Sequence, residues 1–244
     1  MFHNAFPYQP TNPWLPASVV FITILFVCSR VLAQESQEDD EIIDIQVGSQ
    51  DELANRQQAE ALNNQGYKQL EAERYAEAES LLRRALSLDS TSQLYYENLA
   101  RSLGGQQKTA QVVNVYARAQ QQFPDVSDLY YYQGDALQKL KRYEEARIAY
   151  TKAIALTDKN PGTQLLHLYY FNRGNTYLKQ RQYSEARQDY DQAIETNEFH
   201  YGSYANRGFA RYNLEDQSGA CTDWHKAKEA GYAAAQQYLT KYCL

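Results

Sequence analysis

From Ala59 onward, apolar residues recur at spacings of three and four, as in Tyr143, Ala146, Tyr150, Ala153 and Ile154. That is the spacing of one face of an α-helix rather than the strict alternation of a strand. The pattern itself then repeats. Gly66, Ala100 and Gly134 stand 34 residues apart, Gly174 follows after 40, and Gly208 after another 34. With these residues at position 8, five units of 34 lie at 59–92, 93–126, 127–160, 167–200 and 201–234, with Pro161 to Leu166 as an insertion. Position 4 reads Leu62, Tyr96, Tyr130, Tyr170 and Tyr204; position 20 reads Ala78, Val112, Ala146, Ala186 and Ala220. Position 24 reads Leu82, Tyr116, Tyr150, Tyr190 and Trp224, and position 27 is alanine throughout, from Ala85 and Ala119 to Ala153, Ala193 and Ala227.

Two packed helices per unit account for this. Large residues at positions 4 and 24 supply buried area, and small ones at 8, 20 and 27 let the backbones approach where the helices cross. Glu73-Arg74, Lys141-Arg142 and Arg181-Gln182 read as the tight links between the two helices, and Gly104-Gly105 as the link of the second unit. A glycine pair weakens a helix, so the first helix of that unit is expected to be short. After the fifth unit, residues 232–242 read as one more helix hinged at Gly231, covering the last hydrophobic face.

The 34-residue period with aromatic and small residues at these offsets resembles the tetratricopeptide repeat family over residues 59–234. The resemblance implies an all-α, right-handed superhelical solenoid of five helix-turn-helix repeats plus a C-terminal capping helix. It also implies a concave groove, lined by positions 2, 5, 6, 9, 12 and 13 of each first helix, that binds an extended peptide. Those positions include Asn98, Arg101, Tyr131, Asp135, Lys139, Phe171, Asn172, Asn175, Lys179, Asn206, Phe209 and Tyr212. Asn172 and Asn206 are expected to hold the peptide backbone, and Tyr131, Phe171 and Phe209 to bury its side chains. The competing reading is that the asparagines are repeat residues and the aromatics pack between repeats. Of the family's residues that clamp a terminal carboxylate, only Asn98 is matched.

The rest of the chain has a different character. Ala17 to Cys28 is an uncharged apolar run, followed by Val31-Leu32-Ala33. Residues 1–33 therefore read as a signal peptide cleaved after Ala33, the alternative being an uncleaved membrane anchor over 14–33. Residues 34–51 form an acidic, flexible lead, and 52–244 the repeat domain. Export to a periplasmic or extracellular compartment follows from that reading.

Composition narrows the chemistry. A formal charge of −6 and no basic run disfavour a nucleic-acid partner. The 22 tyrosines are the expected outcome of a repeat that uses them at positions 4 and 24. No catalytic constellation, phosphate loop or cofactor motif emerges, so the chain reads as non-enzymatic. Cys221, His225 and Cys243 offer three metal ligands without a fourth, whereas Cys221 and Cys243 lie ten residues before and twelve after Gly231. Antiparallel helices about that hinge bring the two cysteines to similar heights, where an oxidising compartment would form a disulfide. Arg173 and Arg207 at position 7 occur only in the two repeats with Asp189 and Asp223 at position 23. They are expected to brace each hairpin as ion pairs rather than to bind a ligand. The function expected is a scaffold or adaptor for a protein or peptide partner; the alternative is a structural subunit or spacer in a membrane-associated assembly.

Overall fold

The computed structural model describes residues 50–157, 164–198 and 200–243. The signal or anchor segment and residues 34–49 of the acidic lead lie outside the described residues. The chain divides into two units, Met1–Asn55 and Arg56–Leu244. In the first, the described residues 50–55 are helical and exposed; helix therefore takes in residues 50 and 51, which the sequence reading assigned to the lead. The helix α1 covers 50–71. It is followed by α2 (Tyr75–Leu88), α3 (Gln93–Gly105), α4 (Thr109–Gln122), α5 (Ser127–Lys139) and α6 (Tyr143–Thr157). Then come α7 (Leu166–Lys179), α8 (Tyr183–Thr196), α9 (Tyr201–Asn213), α10 (Gln217–Glu229) and α11 (Ala235–Tyr242). From α2 on, each helix packs against its neighbours in sequence, and first helices also touch across repeats, α5 with α7 and α7 with α9. Local, sequential packing of this kind is an α-solenoid.

In four of the five hairpins a glycine at position 8 lets the second helix approach closely. A Cβ built on Gly66 would lie 2.8 Å from Leu82, and one on Gly134 2.6 Å from Tyr150. The corresponding distances are 2.8 Å for Gly174 to Tyr190 and 2.5 Å for Gly208 to Trp224. Position 8 of the first helix is thus the socket for position 24 of the second. Repeat 2 accommodates Ala100 against the slightly more exposed Tyr116. All five alanines at position 27 are fully buried. Position 4 is less uniform than the pattern suggests: Tyr130 and Tyr170 are only half-buried, and the preceding residues, Leu129 and Tyr169, enter the core instead.

Every hairpin turns on a left-handed residue, none of them glycine: Glu73, Gln107, Lys141, Arg181 and Glu215, with φ between 57° and 65°. In each, the next N–H reaches back five residues, as Arg142 does to the Leu137 carbonyl at 2.9 Å, while Lys141 bonds Gln138 at 2.9 Å. These paired bonds satisfy carbonyls left over at the helix end. The second repeat obeys the same rule, which overturns the expected link there. Gly104 and Gly105 are the last two residues of α3, the turn lies at Gln107, and α3 has 13 residues, as α5 and α9 do.

At the C-terminus, Gly231 is left-handed, with φ 101°. The last helix starts at Ala235, 34 residues after Tyr201, so α11 is the beginning of a sixth first helix with Tyr238 at position 4. It is shorter than the expected 232–242. Its position 8 is Tyr242, whose ring lies 5.5 Å from Trp224. Cys221 and Cys243 form a disulfide with a Cα–Cα distance of 5.7 Å, joining α10 to the end of α11.

The arginines at position 7 close the hairpins of repeats 4 and 5. Arg173 grips Asp189 with two bonds of 2.8 and 2.6 Å and also reaches Thr151 at 3.1 Å. Arg207 grips Asp223 at 2.9 and 2.7 Å and adds Asp191 of the preceding repeat at 2.6 Å. Asp223 is fully buried and accepts a second cation, Arg211, at 3.1 Å. Burial raises the Asp189 carboxyl above its ordinary value, against the pull of Arg173.

Three outcomes are expected. Arg173→Ala leaves a buried carboxylate without its partner and is expected to cost about 1–3 kcal/mol in urea unfolding. Arg207→Ala is expected to cost no more than Arg173→Ala, because Arg211 stays on Asp223 at 3.1 Å and the released Asp191 is 42% exposed; an unchanged midpoint for either variant would make the pairs ornamental. Opening the Cys221–Cys243 loop by Cys243→Ser is expected to remove about 3 kcal/mol by the chain-entropy relation. Denaturation with and without reductant checks this: the wild type alone is expected to weaken when reduced.

Candidate functional site

The first helices α3, α5, α7 and α9 carry the positions that line a concave face, and the structure separates the twelve expected residues into two groups. One group is engaged within the chain. Asn98 is 5 % exposed and its amide donates to Asn63 Oδ1 at 2.9 Å. Asn172 donates to Asp135 Oδ1 at 3.0 Å and to the Tyr131 hydroxyl at 3.3 Å. Asn206 donates to Asn175 Oδ1 at 2.7 Å, and Asn175 in turn donates to Asn172 Oδ1 at 3.2 Å. The hydroxyls of the socketed tyrosines reach the same acceptors, Tyr150 to Asp135 at 2.7 Å and Tyr190 to Asn175 at 2.9 Å. A ladder results: position 6 of one repeat and position 24 of the preceding repeat share an acceptor at position 9.

The expected aromatic anchors are engaged as well. Tyr131 is 7 % exposed, its ring 4.9 Å from Tyr169 and 5.1 Å from Tyr132. Phe171 stands edge-on to His200 at 4.6 Å, and Phe209 edge-on to Tyr238 of α11 at 4.5 Å. Asn172, Asn206 and these three rings thus all have partners within the chain, with Tyr131 buried and the other four half-buried. Stacked repeats bring polar edges and rings of adjacent first helices together, and buried polar groups there need partners.

The second group remains open. Arg101, Lys139 and Lys179 are exposed, and Tyr212 is 38 % exposed with its ring 4.6 Å from Tyr242. Arg101 pairs with Glu71 at 3.2 Å and lies over the exposed ring of Tyr67. Asp135 is half-buried: burial raises its carboxyl, opposed by the Tyr150 and Tyr131 hydroxyls, Lys139 and Asn172. Burial and the Asp135 charge in turn push the Tyr131 and Tyr150 phenols well above their ordinary range.

Three of these groups border a cavity of about 580 Å³ between α3, α4 and α5. Arg101, Asp135 and Lys139 line it together with Gly104, Tyr116 and Tyr132. Gly104 and Tyr116 were not singled out as site residues by the sequence; the signal that could have found Gly104 is the comparison of position 12 across repeats. A second cavity, of about 480 Å³ and more apolar, lies between α4, α5 and α6 against Val113, Leu137 and Ile148. Among the described residues, no group of three or more His, Cys, Asp or Glu side chains is arranged to hold a metal, and no helix is long and apolar enough to cross a membrane.

Comparison with known proteins returns the same repeat. Two family models described as tetratricopeptide repeat match, over residues 125–198 and 171–233. Curated proteins yield no match. Among solved structures, a MamA protein superposes with a TM-score of 0.64 at 17% identity, covering 73% of this chain and 94% of that one. PilF of Pseudomonas aeruginosa gives 0.62 at 17% identity over 73% and 78%. YrrB, described as a tetratricopeptide protein with an unusual peptide-binding site, gives 0.60 at 18% identity over 73% and 90%. The matched models, the 34-residue register and the shared fold agree, and residues 125–233 are tetratricopeptide repeats.

Proposed function

We propose that this chain is a non-enzymatic scaffold whose concave face holds an extended segment of a partner protein. The observation that carries the reading is the row of open side chains along the first helices: Tyr67, Arg101, Lys139, Lys179 and Tyr212. They follow one another from α1 to α9 on a frame in which Asn98, Asn172, Asn175 and Asn206 are engaged internally. A long concave surface built from repeats is suited to an extended ligand. YrrB's description as a peptide-binding tetratricopeptide protein is in keeping with that use of the fold. Because cations dominate the open row, affinity is expected to fall as salt is raised.

The compartment belongs to the same proposal. The Cys221–Cys243 disulfide suits an oxidising environment, in line with cleavage after Ala33 and release outside the cytosol. N-terminal sequencing of the native protein is expected to start at Gln34; a retained Met1 would favour the anchor instead.

The groove is tested by capturing partners from the native organism with the full chain, then measuring their affinity for two variants. Arg101→Glu combined with Lys179→Glu is expected to weaken binding at least tenfold. Lys152→Glu, on α6, is expected to leave it unchanged. Binding that survives the double variant, or falls equally with Lys152→Glu, would move the contact off the concave face.

A further inference from the structure

Position 12 of the repeat carries Leu70, Gln138, Leu178 and Tyr212 in four copies and Gly104 in the second. Where a side chain is present it fills the space beside the socket: Leu70 is buried, Gln138 accepts from the Tyr150 hydroxyl at 3.2 Å, and Tyr212 lies 6.1 Å from Trp224. Gly104 leaves that space empty. A Cβ built on it meets nothing within 4 Å, and its backbone is helical rather than left-handed. The contrast with other glycines is sharp, since position 8 is held small by position 24 and Gly105 is held by the Tyr75 ring at 2.5 Å. Glycine is a poor helix former, and at 104 neither packing nor backbone conformation demands it. What it does is open the cavity on the concave face.

The chemistry of that cavity selects its occupant. Val112 and Tyr116 line it, with Tyr132 stacked on Tyr116 at 5.8 Å. Arg101 and Lys139 are its exposed cations. The one carboxylate lining it, Asp135, already accepts from Tyr150 and Asn172. The Arg101–Glu71 bridge joins two side chains that are each 54% exposed, so it exchanges readily for another carboxylate. We propose that the space left by Gly104 is a subsite for a glutamate side chain of the bound peptide. Its methylenes would lie over Val112 and Tyr116, and its carboxylate would meet Arg101 and Lys139. This rests on the reading of the concave face as a peptide groove.

A random nonapeptide display library panned on the full chain tests it. Enriched peptides are expected to share a Glu at one fixed position, and replacing that Glu by Gln in a synthetic copy is expected to weaken binding at least tenfold. Gly104→Leu, which copies Leu70 and Leu178, is expected to weaken it as much while melting no lower than the wild type. Arg101→Gln with Lys139→Gln reads the same subsite without filling it, should the leucine disturb the fold. Peptides that bind Gly104→Leu as tightly as the wild type, or whose fixed residue is basic or apolar, would overturn the glutamate subsite. The groove reading would survive that result if Arg101→Glu with Lys179→Glu still abolished their binding. Failure of the wild type to enrich any peptide would overturn both.

Discussion

The contact between position 8 and position 24 is the constraint on which the rest of the molecule depends. A tyrosine or tryptophan ring can be fully buried at Tyr150, Tyr190 or Trp224 only because the facing helix offers a residue without a side chain. Each such ring removes about 150–250 Å² from water, on the order of 4–6 kcal/mol before the entropy of ordering it. The close approach fixes where the two helices cross, and that crossing leaves the five left-handed turn residues in equivalent places. None of the five is glycine, so the conformation is imposed by the helix-end hydrogen bonds and by packing rather than by a permissive residue. At α11 the register places Tyr242 at position 8, and its ring packs 5.5 Å from Trp224 of the preceding repeat.

The same tyrosines tie repeats to one another. Their hydroxyls emerge at the edge of the concave face and meet Asp135 and Asn175, which also accept from Asn172 and Asn206 of the next repeat. One side chain therefore fills the hairpin with its ring and braces the stack with its hydroxyl. On the other side of repeats 4 and 5, Arg173 and Arg207 do comparable work, each joining its own second helix to the preceding one. The disulfide finishes the series by tying α11 down over Trp224. Stability is thus built pair by pair along the chain, with each repeat contacting its neighbours.

The functional face is what this bracing leaves over. Rings and amides that the repeat pattern places on the concave side are largely engaged between repeats, while Arg101, Lys139, Lys179 and Tyr212 remain open. The cavity beside Gly104 lies among them, at the one repeat whose position 12 lacks a side chain.

The sequence alone determined the helix pairs, their 34-residue register, the small-against-large rule and the partners of Arg173, Arg207 and Cys221. All of these follow from periodicity and from residue types that vary together at fixed offsets. Only the tertiary structure decided which polar and aromatic residues face a neighbour and which face solvent. Asn172 and Lys179 both fit the groove offsets, yet one is bonded into the ladder and the other is exposed. The difference depends on how far each hairpin rotates against the next, a quantity that no spacing along a single helix encodes. The Gly104-Gly105 turn failed for a related reason: helix-end hydrogen bonding in the folded hairpin outweighed the local preference of two glycines, and the chain turned three residues later.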